Sequence, residues 1–116
     1  MLVAMGTVRD LHPRQVGQTA WQAMIGVGIG DDENVDCVAD AELPSLAVAK
    51  AWVEKTLPTA GFPEWVHRRV HGTAGAFLFG SVSCGWYDTD LVFEPDPDGP
   101  VWDADLVQGR LRWRRT

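Results

Sequence analysis

Between Trp21 and Leu43, apolar side chains fall on every second residue on both sides of an acidic turn, and no other feature constrains the fold as tightly. Trp21, Ala23, Ile25, Val27 and Ile29 alternate with Gln22, Met24, Gly26 and Gly28. Val35, Cys37, Ala39, Ala41 and Leu43 alternate with Asp36, Val38, Asp40 and Glu42. A period of two belongs to a β-strand that buries one side. Gly30-Asp31-Asp32-Glu33-Asn34 supplies turn residues between the two runs. A hairpin pairing Ile29 with Val35 sets Trp21 opposite Leu43 and gathers both apolar sets, Cys37 included, on one face. Gly26 and Gly28 strip a face of side chains, which lets another element approach or permits a bulge. With Gly30 they spell G-x-G-x-G, but no helix follows directly and acidic residues do, which excludes a dinucleotide fingerprint.

A helix follows the hairpin. Ser45 suits its cap, and Leu46, Ala49, Val53 and Leu57 repeat at helical spacing, with Trp52 widening the stripe and Pro58 ending it. This helix is expected across the apolar face of the hairpin. A short second helix is expected from Pro63 to His71, with Pro63 at its first position and Gly72 just past its end. Ala76 to Tyr87 reads as a long strand, apolar on both faces in its first half and therefore central in the sheet.

The C-terminal residues predict a three-stranded meander. Asp96-Pro97-Asp98-Gly99 and Gln108-Gly109 are turns. Pairing across them sets Phe93 opposite Trp102, Leu91 opposite Ala104, Leu106 opposite Leu111 and Ala104 opposite Trp113. Asp105 then faces Arg112 and Asp103 faces Arg114. One face is apolar, and the other carries two acid–arginine pairs that help to fix the register.

The expected fold is α+β: a mainly antiparallel sheet formed by the N-terminal hairpin, the central strand and the C-terminal meander, with one main helix and one short one. With 116 residues the chain reads as one domain, 1–116, and a hydrophobic share of 46% is enough for a core. No apolar run approaches the roughly 20 residues of a membrane span, and the N-terminus lacks a basic leader, so a cytoplasmic protein is expected. A net charge of −6 argues against a dedicated nucleic-acid binder. Two cysteines are too few for a disulfide framework.

Several residues could carry chemistry. On a helix, Glu64, His67 and His71 stand at i, i+3 and i+7, one face from which a metal could be held, although Arg68 shares that face. Glu94, Asp96, Asp98, Gly99 and Asp105 mimic a calcium loop, yet Pro95, Pro97 and Pro100 stiffen it and its flanks read as strands. Ser81, Ser83 and Cys84 do not fit a nucleophile elbow, and both cysteines alternate with apolar residues. The arginine run from Arg110 to Arg115 resembles a nucleic-acid stripe, but Arg112 and Arg114 already face acids. The strand–strand–helix order from Trp21 to Glu54 loosely resembles that of integrase-type arm domains, which implies DNA contact through the sheet. Such sheets need basic side chains where this one has Asp36, Asp40 and Glu42, so no family is assigned.

No catalytic motif survives this reading, which leans away from an enzyme and names no cofactor. The expected function is a small non-catalytic protein-binding module, an adaptor, inhibitor or self-assembling subunit. Six tryptophans are a high load and Trp is enriched at interface hot spots, so partner contacts are sought among Trp65, Trp86, Tyr87 and Arg115, which the patterning does not place in the core. The alternatives are a small metal-dependent or acid–base enzyme using Glu64, His67 and His71, and a nucleic-acid accessory protein using Arg68, Arg69, Arg110 and Arg115.

Overall fold

The computed structural model describes residues 7–8, 14–29 and 35–115. Within them, one sheet contains β1 (Thr7–Val8), β2 (Thr19–Ile29), β3 (Val35–Leu43), β4 (Ala76–Tyr87), β5 (Phe93–Pro95), β6 (Val101–Val107) and β7 (Arg110–Arg115). The strand order is β1-β3-β2-β4-β6-β7, with β5 also paired to β4. Every pairing is antiparallel except β1 with β3. Helices α1 (Leu46–Thr56) and α2 (Glu64–Gly72) lie on one face, so the fold is α+β as the patterning predicts.

The β2–β3 register begins where the alternation puts it, with Trp21 opposite Leu43, and holds to Ile25 opposite Ala39. A bulge then places Gly26 opposite Cys37 and Gly28 opposite Val35. The extra residue, Val38, turns into the core at 6% exposure. Because side chains alternate in a strand, this one-residue slip moves Cys37 and Val35 to the face away from the helices. Cys37 is therefore exposed, not on the apolar face as expected. The same slip turns Asp36 to the helix side, where it pairs with Arg69 of α2. The turn at 30–34 lies outside the described residues.

Ser45 caps α1 by accepting the Val48 N–H at 3.2 Å. Ala49 and Val53 are fully buried against β2, β3 and β4. Pro58 does not stop the chain abruptly. It sits in the first turn of a short 3-10 stretch, Leu57–Thr59, where its missing N–H costs no helical bond. The carbonyl of Pro63 accepts the Val66 and His67 N–H groups and opens α2, which runs one residue further than expected, through Gly72. The core joins Ile25, Val27, Leu43, Val53, Leu57, Val66 and Val82, with Trp21, Trp52, Trp102 and Trp113 packed around it.

The C-terminal third departs from a simple meander. The β6–β7 hairpin matches residue for residue, from Asp103 opposite Arg114 to Leu106 opposite Leu111. Gln108 and Gly109 both hold left-handed φ, 54° and 77°, as a two-residue hairpin turn requires. Phe93, however, faces Tyr87 of β4 and not Trp102. β4 pairs first with β5 and then, from Ser83–Val101 to Gly80–Ala104, with β6. Residues 96–100 thus interrupt one line of strand instead of closing a hairpin. The closing turn is 88–92, where the Asp88 carboxylate accepts the N–H groups of Asp90 and Val92 at 2.8 and 3.0 Å. Phe93 consequently leaves the apolar face, and Leu91 lies in the turn and not in a strand.

Candidate functional site

The helices cover one face of the sheet, and among the described residues no helix covers the other. On this open face the glycines of β2 find their purpose. A Cβ at Gly28 would stand 3.0 Å from the Phe77 ring, and one at Gly26 would stand 2.9 Å from the Phe79 ring. The two rings, with centroids 5.8 Å apart, therefore lie down over β2 in the space the glycines leave. Phe77 stays 44% exposed.

Beside these rings the sheet splits. The β4–β6 ladder ends at Gly80–Ala104, although both strands run on. Continuing its register would pair Leu78 with Leu106. The Asp96 N–H donates to the Cys84 carbonyl, so even-numbered residues of β4 turn their peptide groups toward β5 and β6. The two-residue turn makes Val107 and Arg110 a hydrogen-bonded pair, so Ala104 and Leu106 of β6 turn theirs toward β4. The register pairing thus stops one step short of Leu78 and Leu106, whose peptide groups would form the next bonded pair.

Where the pairing stops, a cavity of about 490 Å³ is present. Leu78, Ala104 and Leu106 line it, and Gly28, Val35, Phe77 and Phe79 form its apolar side. Asp103, Asp105 and Arg114 form the polar side. The volume lies inside the roughly 300–1,000 Å³ of ligand pockets, and the mix of aromatic walls and a few polar groups is theirs too.

The two carboxylates are not equivalent. Asp105 Oδ2 accepts from Arg112 at 3.2 Å and lies 3.6 Å from Arg114 Nη2, while its Oδ1 is buried without a hydrogen-bond partner. Asp103 sits opposite Arg114 in the ladder, yet among the described residues it makes no ion pair. Burial pushes its carboxyl up, and the Arg114 charge offsets this only in part.

The residues named for partner binding fall elsewhere. Trp65 on α2 is 48% exposed and Trp86 near the end of β4 is 39% exposed, so both remain surface groups. Tyr87 is fully buried and is not available to a partner. Its ring lies under the Arg14 guanidinium, 5.4 Å from the centroid, and Arg14 also holds the buried Glu42 carboxylate at 2.9 Å. Tyr87 alternates onto the open face, but the segment carrying Arg14 closes over it. Arg115 is exposed and lies 5.7 Å over Trp102, whose ring also receives the Lys50 ammonium at 3.4 Å.

Glu64 pairs with Arg68 one turn along α2, and the His67 and His71 rings stand 4.3 Å apart. Among the described residues no group of three or more His, Cys, Asp or Glu side chains could hold a metal ion, so the Glu64, His67 and His71 site is not assembled. Of the four arginines considered for nucleic acid, Arg68 and Arg69 are tied to Glu64 and Asp36, while Arg110 and Arg115 lie on β7. Asp96 spends its carboxylate on the Asp98 N–H, an ordinary turn bond. Both thiols are pushed up, Cys37 by partial desolvation and then the Asp40 charge, Cys84 by partial desolvation and then the Asp96 charge. Neither is poised as a thiolate nucleophile. No helix among the described residues is long and apolar enough to cross a membrane.

Comparison with known proteins finds no matching family model, no similar curated protein and no similar solved structure.

Proposed function

We propose that this chain is a non-catalytic protein-binding module that takes an extended segment of its partner into the cleft between β4 and β6. The observation that carries this reading is the unfinished ladder: the β4–β6 pairing ends at Gly80–Ala104, and Leu78, Ala104 and Leu106 line a cavity of about 490 Å³ there. Unpaired strand groups bind another extended chain through main-chain hydrogen bonds, while pockets beside them select side chains. Phe77, Phe79 and Val35 supply such a pocket. A segment seated there contributes peptide groups to both strands and covers exposed aromatic surface.

Selection from a displayed library of random peptides tests the proposal. The wild-type protein is expected to enrich apolar-containing peptides that Phe77→Lys and Phe79→Ala variants, verified as folded by circular dichroism, no longer retain. Enrichment of no peptide, or of peptides indifferent to both substitutions, would overturn it.

A further inference from the structure

We infer that the cleft selects a segment carrying a basic side chain, a lysine or an arginine, with Asp103 as the partner of its charge; this rests on the strand-addition reading above. The polar side of the cavity holds two carboxylates and one arginine, and the arginine is already engaged. Arg114 Nη2 approaches Asp105 Oδ2 at 3.6 Å, and Arg112 binds the same oxygen at 3.2 Å. Two cations therefore converge on one carboxylate oxygen, and Asp103 has no ion pair of its own among the described residues. The second oxygen of Asp105 is buried with no donor.

What Asp103 and the second oxygen of Asp105 lack is thus charged hydrogen-bond donors of their own. A guanidinium or ammonium supplies them and an anionic or neutral side chain does not. The apolar side fits the same ligand, because long basic side chains lay their methylenes against apolar and aromatic surface while the head meets a carboxylate. The direction of the Asp103 shift agrees: its charge is partly desolvated and only partly compensated by Arg114. The net charge of −6 also draws a basic segment toward the protein.

The test uses the peptides recovered from the library, measured by isothermal titration calorimetry. Replacing the basic residue with citrulline or norleucine is expected to weaken binding to the wild-type protein about tenfold or more. Asp103→Asn should abolish that difference, and Arg114→Gln, which removes a competing cation, should strengthen the basic peptide. Recovered peptides that bind the cleft without any basic residue, or that tolerate the replacement, overturn this inference and leave strand addition standing. Failure to recover any cleft-dependent peptide overturns both. N-acetyl-arginine amide binding as tightly as the peptides would identify a free cation as the ligand, and it too would overturn the proposal.

Discussion

Arg14 holds three things at once: the Glu42 carboxylate, the face of the Tyr87 ring and, through Nη1, the Leu91 carbonyl at 3.1 Å. Leu91 keeps a left-handed φ of 60°, a conformation that costs a branched residue about 1 kcal/mol or more, and the Arg14 bond helps to hold it there. Glu42 is 4% exposed, so losing Arg14 would leave a buried charge without its partner. Arg14→Met is expected to cost about 3 kcal/mol in urea unfolding, and Glu42→Gln in the same chain should restore much of it. A loss below about 1 kcal/mol would show that Glu42 does not depend on the pair. Asp103 behaves in the opposite sense. Its pKa is raised on folding by burial, so the folded state bears a cost whenever the carboxyl is charged. Asp103→Asn should therefore stabilise the protein slightly at pH ~7, by about 0.5 kcal/mol or less. The gap should close as the pH falls toward the ordinary aspartate range near 4. A variant less stable than wild type at neutral pH would mean that Asp103 serves the fold.

Gly80 shows how tightly the elements are fitted. A Cβ there would stand 2.5 Å from Val53 Cγ1 and 3.5 Å from Ala104 Cβ, so α1 rests directly on the backbone of β4. Gly80→Ala should cost about 1–3 kcal/mol by overpacking, read as a lower urea midpoint. The same substitution with Val53→Ala should cost less than the sum of the two. Elements of this kind are where the sequence was most legible. Alternation placed Trp21 opposite Leu43, and the Gln108-Gly109 turn fixed all of β6–β7. The bulge at Val38 was not legible, because an extra residue leaves the composition of a strand unchanged while reversing its faces. It therefore misplaced Cys37. The pairing of β5 was missed for a related reason: two turns, 88–92 and 96–100, both carry Asp side chains that accept local N–H bonds, and only one of them reverses the chain. Tyr87 was misread because what buries it, Arg14, is far away in sequence.

At the scale of the whole molecule, one sheet has two unlike faces. The helix face is closed by α1 and α2, while the open face carries Phe77, Phe79 and a ladder that stops short. No residue type announces such a stop, so the cleft could not be read in advance; only Gly26 and Gly28, which let the aromatic rings settle beside it, left a trace. The split also has a consequence that does not depend on any ligand. Amides held in a ladder exchange with solvent through opening of the sheet, whereas amides facing an open cleft need no such event. Val82 and Ala104 lie within the paired part of β4–β6, and Leu78 and Leu106 lie beyond it. In the free protein the Leu78 and Leu106 amides should exchange at least ~100-fold faster than that of Val82, although all lie inside strands. A peptide seated between the strands should slow Leu78 and Leu106 together, since it bonds to both edges. At a free concentration about 100 times its Kd, the peptide should add about 2.7 kcal/mol to the stability of the bound protein. Protection of Leu78 alone would place the ligand on β4 only. Equal protection of Leu78 and Val82 in the free protein would mean that β4 and β6 close in solution and that no cleft is present.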